Sequence, residues 1–171
     1  MAHDVTTVRH SLAHVMAEAV QHLYPGVKLG IGPAIQDGFY YDFLFPSPIS
    51  NDDLPAIEKE MRRIIAGGHE FARREVSKEE ARRIFADQPF KLELIEGLED
   101  GTLTVYQQDD FIDLCRGPHV ASTRDLRPDA FKLRTVAGAY WHGDETRPML
   151  TRIYAYAFST RAELDAYLKM L

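Results

Sequence analysis

The chain has 171 residues, 45% of them apolar, and a net charge of −6, which suits one domain with a sizeable core. It holds no apolar run long enough to span a bilayer, and its first residues, Met1 to Thr7, lack the basic-then-apolar order of a secretory leader. The acidic balance argues against a grip on long nucleic acid, so neither membrane nor DNA is an expected partner, whereas the single-stranded end of an RNA is compatible; the lone Cys115 excludes an internal disulfide and suits a reducing, cytoplasmic setting.

Asp4 is a good N-cap for a first helix expected to reach Tyr24, where Pro25-Gly26 stops it. Val5, Val8, Leu12, Met16, Ala19 and Leu23 form an aliphatic stripe, and His10, His14 and Gln21 fall about 160–180° from it. The two histidines therefore meet solvent or look into a cleft. Strands are expected over Lys28 to Ile35 and Gly38 to Phe43, joined by a turn at Gln36-Asp37-Gly38. Alternation puts Phe39, Tyr41 and Phe43 on one face and Tyr40 and Asp42 on the other. The glycines of Gly30-Ile31-Gly32-Pro33 mark a bend in the sheet, and no P-loop or dinucleotide-type phosphate cradle is present.

A helix from Asp52 to Ala66, stopped by Gly67-Gly68, precedes a short strand from Phe71 to Val76. Ser77 with Glu80 forms a capping box for a helix to Ala86. Phe90 to Ile95 fits a strand or a short helix. Leu103 to Gln107 and Phe111 to Leu114 read as strands; in the second, Phe111, Asp113 and Cys115 share a face, and Arg116-Gly117-Pro118 turns His119 back toward it. Phe131 to Trp141 and Leu150 to Phe158 complete the sheet, and Thr160 with Glu163 caps a last helix over 161–171. That helix runs on without a stop signal, as if a longer polypeptide continued. The mixture of elements without regular strand–helix alternation indicates an α+β fold with a mainly antiparallel sheet, forming one domain over 1–171. The pairs Arg62-Arg63, Arg73-Arg74 and Arg82-Arg83 interleave with glutamates and read as solvated helix faces.

Two clusters carry the chemistry: His10 with His14, and Cys115 with His119, each pair four residues apart. Histidines at i and i+4 project side by side from a helix, and Cys and His across a short turn can do the same from a loop. Together, His10, His14, Cys115 and His119 would make a tetrahedral set suited to zinc. Without a metal, the same groups can move protons directly, with Asp113 orienting an imidazole or holding an ammonium group. His3, His22, His69 and His142 show no partner pattern and read as surface or turn residues. Lys91, among Phe90, Leu92 and Leu94, reads as a snorkelling surface lysine, the other reading being a lysine in a cleft that holds a carbonyl or a water. Tyr40 and Tyr41 read as core aromatics rather than a base-stacking platform.

The segments Arg9-His10-Ser11-x-Ala13-His14, Ile31-Gly32-Pro33, Gly38-Phe39-Tyr40-Tyr41-Asp42, Asp113-Leu114-Cys115-Arg116-Gly117-Pro118-His119 and Ala137-Gly138-Ala139-Tyr140-Trp141 occur in that order. They resemble the editing, or second additional, domain of bacterial-type threonyl-tRNA synthetase, from about Arg9 to Phe158. The resemblance implies hydrolysis of serine wrongly esterified to threonine tRNA, with the charged acceptor end of tRNA(Thr) and the remaining synthetase domains as partners and no aminoacylation by this piece. Such a site is needed because a pocket sized for threonine rejects serine by only about 1–3 kcal/mol through the missing methyl.

By motif, the resemblance gives His10 and His14 the histidine pair's role, with His10 favoured for proton transfer near the ester. It gives Lys91 the water or the seryl group, Asp113 the seryl amine or hydroxyl, and Cys115 with His119 the pocket wall. Tyr41 would contact the terminal adenosine. It implies water attack with no required cofactor, zinc being an option that the donor set leaves open. The alternative is a structural zinc-bound RNA-binding module without catalysis. The chain departs from the family pattern at Phe90, His142 and the Thr151 to Ala155 segment.

Overall fold

The computed structural model describes residues 4–171, so His3 lies outside the described residues. Asp4 caps the first helix, its carboxylate accepting from the Thr6 amide at 2.9 Å, and α1 runs Val5–Leu23. Its aliphatic stripe packs with Phe39, Tyr41 and Phe43, as the alternation requires. The opposite face is covered too, and nearly every residue from Val8 to Val20 is buried. This departs from a helix with one wet side. The cause is a second layer: the Gln108 amide donates to the His14 carbonyl at 3.2 Å, and Phe111 packs edge-on against the His14 ring.

The strands β1 (Lys28–Leu29), β2 (Ala34–Ile35), β3 (Gly38–Leu44), β7 (Phe131–Tyr140) and β8 (Met149–Ala157) form one sheet in the order β1-β3-β8-β7, with β2 also on β3. The strands β4 (Ala72–Ser77), β5 (Thr102–Gln108) and β6 (Phe111–Leu114) form another. Every pairing is antiparallel. The class is α+β as expected, but the single expected sheet is two. The expected strand from Lys28 to Ile35 is likewise split at Gly30 to Pro33. A Cβ on Gly32 would lie 2.1 Å from the Tyr41 ring, so the glycine lets that ring lie against the backbone. Across β3 and β8, Arg152 forks onto Asp42 at 2.8 and 3.0 Å and covers the Tyr40 ring, which pins the register.

The second helix, α2 (Leu54–Gly67), follows a 3-10 turn and ends at Gly68 in the left-handed region at φ 67°. Ser77 accepts from the Glu80 amide and starts α3 (Lys78–Ile84); the ambiguous stretch is a helix, α4 (Pro89–Glu96), with proline in its first turn. Both pack on the smaller sheet through Val76, Ala81, Phe85, Ile95 and Val105. The basic pairs are solvated as expected, although Arg73 and Arg74 lie on β4 rather than a helix. Thr160 caps α5 (Arg161–Met170), and its Tyr167 hydroxyl donates to Asp37 at 2.8 Å. Among the described residues no helix is long and apolar enough to cross a membrane.

Candidate functional site

The seam between α1 and the smaller sheet brings the two predicted clusters together. From α1 come Ser11 and His14, from β6 Asp113, from the loop after it Cys115 and His119, and from α4 Lys91. His14 and His119 have ring centres 4.3 Å apart, and Cys115 Sγ lies 3.2 Å from His119 Nε2. The turn through Gly117 makes that return possible: Gly117 adopts φ 78°, and its amide donates to Cys115 Sγ at 3.3 Å.

Behind this group is a buried polar relay. Lys91 Nζ pairs with Asp113 Oδ1 at 2.6 Å, the Tyr41 hydroxyl donates to Asp113 Oδ2 at 2.6 Å, and His14 Nε2 is 3.4 Å from the same oxygen. Lys91 and Asp113 are each only 2% exposed, so Lys91 is not the snorkelling surface lysine expected from its neighbours. An ion pair so buried persists because each charge is satisfied by the other and by hydrogen bonds. Tyr41 is 0% exposed, which corrects its expected contact with an adenosine: no face of the ring is open, and its part is to hold Asp113. Phe90, at the departure from the family pattern, packs on Trp141 in a separate apolar cluster.

Ser11, which the sequence reading quoted within a motif but gave no role, sets a proton position. Its hydroxyl donates to the Thr7 carbonyl at 2.9 Å and accepts from the Val120 amide at 3.1 Å. With its hydrogen committed to Thr7, Ser11 Oγ at 3.0 Å from His119 Nδ1 can only accept. His119 therefore carries its proton on Nδ1 and turns the Nε2 lone pair toward the Cys115 thiol. The one signal in the sequence was a hydroxyl among apolar residues in mid-helix.

The electrostatics follow from burial. Desolvation brings His14 down to about 4, against the pull of Asp113 and helped by Lys91 and His10, and brings His119 to about 2 with help from His14 and His10. Burial also lowers His10 and raises the Cys115 thiol. Burial alone would raise Asp113, but Lys91 and His14 leave it below its usual range. The result at neutral pH is a carboxylate beside three neutral imidazoles and a thiol. The half-buried His10, Cys115 and His119 form the outer rim of the cluster. A cavity of about 700 Å³, walled by Leu94, Leu103, Leu114 and Arg116, reaches the cluster at Cys115.

For a metal, His14, Cys115 and His119 present donor atoms within 4.8 Å of one another, and His10 falls outside that set. The expected four-ligand site is thus a three-ligand one. Tetrahedral zinc places a sulfur and a nitrogen ligand about 3.5 Å apart, and the 3.2 Å between Cys115 Sγ and His119 Nε2 is close to that. The donors fit, in the open arrangement of a hydrolytic rather than a closed structural ion. Of the histidines read as unpartnered, His142 is an exposed turn residue at φ 56° with Glu93 at 3.7 Å, and the more buried His22 has Glu60 and Asp110 at 2.8 and 3.0 Å.

Residues 103–154 match the threonyl and alanyl tRNA synthetase second additional domain. Over 168 residues, 98% of the chain, the sequence is 54% identical to a threonine–tRNA ligase of Dehalococcoides mccartyi, covering 28% of that protein. The corresponding protein of Rubrobacter xylanophilus is 57% identical over 164 residues (96% of the chain, 25% of the relative), and that of Thermotoga maritima 53% over 166 (95% and 26%). The chain spans about a quarter of the length of these curated relatives. With the geometry already described, these matches identify the chain as belonging to the editing, or second additional, domain of threonyl-tRNA synthetase.

Proposed function

We propose that this domain hydrolyses the ester of serine misattached to tRNA(Thr), with the acceptor end entering at the rim of His10, Cys115 and His119. The observation that carries the reading is the convergence of a neutral histidine rim on a buried, charged Lys91–Asp113 pair, in a chain of this family. Water attacks the ester carbonyl, and a rim imidazole, His10 in our reading, takes the water's proton. The acyl–oxygen bond then breaks, and the same proton passes to the departing ribose oxygen, leaving free serine and an intact 3′ end.

Lys91, Tyr41 and Asp113 act as positioning residues, fixing His14 and the local charge; the Cys115–His119 pair walls the acyl group. A pocket that admits serine and collides with one further methyl supplies the second sieve that binding in a synthetic site cannot. The mechanism needs no cofactor. If an ion is held by His14, Cys115 and His119, it adds Lewis acidity and an acidified water.

The test is serine release from seryl-tRNA(Thr) and from a short seryl-adenosine ester, with the threonyl esters as controls. Release that His10→Ala lowers about 100-fold or more, and that a chelator leaves unchanged, supports the mechanism. Stoichiometric zinc without any release of serine supports the structural zinc-bound RNA module instead.

A further inference from the structure

One turn beyond the editing cluster, the i+4 row of α1 continues from His10 and His14 to Glu18 and His22. We propose that Glu18, His22 and Asp110 form a second site, for one divalent transition ion of the zinc or cobalt type, which staples the β5–β6 turn to α1. His22 Nε2 lies 3.0 Å from Asp110 Oδ1 and 3.6 Å from Glu18 Oε2, and the three donor atoms are all within 4.8 Å of one another. Ligands about 2.0–2.2 Å from a zinc ion stand about 3.0–3.6 Å apart at angles between octahedral and trigonal. The spacing is that of a ligand shell.

The observation that points to an ion is Glu18. Its side chain is 0% exposed, neither carboxylate oxygen accepts a hydrogen bond, and one of them is aimed at His22 Nε2. A carboxylate held in the interior with only the His22 imidazole at 3.6 Å carries a desolvation cost that a cation would relieve. The neighbouring Gln108 amide donates one N–H to the His14 carbonyl, and its pull on the Glu18 carboxyl is the weakest of the influences there.

The surrounding residues complete a metal-type arrangement. Glu60 Oε2, on α2, lies 2.8 Å from His22 Nδ1, so an Nδ1–H donated to it presents Nε2 as a lone pair. This carboxylate–histidine pairing is what orients and strengthens imidazole ligands. Arg63 donates to Glu60 at 2.7 Å and neutralises it, which leaves the two charges of Glu18 and Asp110 to balance a divalent cation. One imidazole with two carboxylates suits a borderline ion better than calcium or magnesium, which take oxygen ligands alone. Asp110 ends the turn that begins with Asp109 at φ 51° and leads into β6, the strand that carries Asp113. An ion here holds that strand against the helix bearing His10 and His14.

Because the editing cluster also offers donors, the experiment begins from Cys115→Ser. Calorimetric titration with zinc chloride, and absorption with cobalt(II), should find one equivalent bound in that background, with no thiolate-to-cobalt band. Glu18→Gln and Asp110→Asn should each weaken this binding at least ten-fold and abolish the zinc-dependent rise in Tm. The Asp110 side chain is 67% exposed, so that variant is expected to fold even if the buried substitution at Glu18 disturbs the helix. Absence of uptake by Cys115→Ser, or uptake that Asp110→Asn leaves unchanged, overturns the proposal.

Discussion

The two halves of α1 use one spacing to opposite ends. In the N-terminal half, His10 and His14 face a thiol, a third imidazole and Lys91, and burial drives the imidazoles to low pKa values. In the C-terminal half, burial also pulls His22 down, but Asp110 and Glu60 outweigh it and leave His22 raised. Glu18 is pushed up to about 7 by burial and by Asp110 and Asp109, against the pull of His22. The histidine pattern alone therefore does not decide the chemistry. The elements laid against each turn do: the β6 loop and α4 over the first half, α2 and the β5–β6 turn over the second.

The sharpest way to break this contrast is at the ion pair behind the first half. Lys91→Met leaves Asp113 buried without its cation, and breaking such a pair from one side costs about 3–5 kcal/mol. Urea unfolding should show that loss, and the double variant Lys91→Met with Asp113→Asn should recover part of it. A double variant no better than the single one would mean that Lys91 stabilises the fold by packing rather than by charge. His10→Ala tests the rim from the other side. Serine-ester hydrolysis should fall by about 10²–10⁴-fold while Tm stays near that of the parent, since His10 is half-buried and its ring holds no partner's charge. A large fall in Tm would transfer His10 from the chemistry to the core.

How much of this was legible in the sequence depended on the range of the forces. The capped α1 and the inward face of β3 follow from local periodicity and hold in the structure. The return of His119 to Cys115 follows from a turn of three residues and also holds. Lys91 could not be placed by its neighbours, because its burial depends on a carboxylate from another strand. His22 was missed for the same reason: its partners come from α1, α2 and the β5–β6 turn, and no spacing within one element announces them. The fourth metal ligand failed for geometric reasons. His10 and His14 share a row on α1, but the loop carrying Cys115 and His119 closes over His14, leaving His10 at the rim.

A smaller effect separates the two halves by pH. His14 has a folded pKa of about 4 against an ordinary 6.5, so its contribution is present above 6.5 and is lost as pH falls, at about 1.4 kcal/mol per unit. His119, depressed to about 2, adds in the same direction. Glu18 has the opposite sign. Its folded value of about 7 exceeds the ordinary 4.5, so its contribution is full below 4.5 and is lost as pH rises through 7. In urea unfolding, with metal removed, His14→Asn should therefore remove the loss of stability as pH falls from 6.5 to 4, and Glu18→Gln should remove the opposing loss as pH rises from 4.5 to 7. Over this shared window the two variants should change the slope of stability against pH in opposite directions. Slopes changed in the same direction would mean that the two halves are one electrostatic unit.

The smallest expected effect is also the most local. Ser11→Ala removes an acceptor from both the Val120 amide and His119 Nδ1, at a cost of about 1–3 kcal/mol for buried donors left unmet. A general loss of packing would lower stability by as much, so stability alone does not test the assignment. The ring nitrogens of His119 do. In the parent, nitrogen-15 shifts should report a proton on Nδ1 and an unprotonated Nε2. In Ser11→Ala the Nδ1 site has lost its acceptor while Nε2 still faces Cys115, so the proton should redistribute toward Nε2 with the thiol sulfur as acceptor. An unchanged tautomer would mean that Cys115, rather than the hydroxyl on α1, orients the ring. The first half of the helix would then supply His10 and His14 to the site without governing the third imidazole.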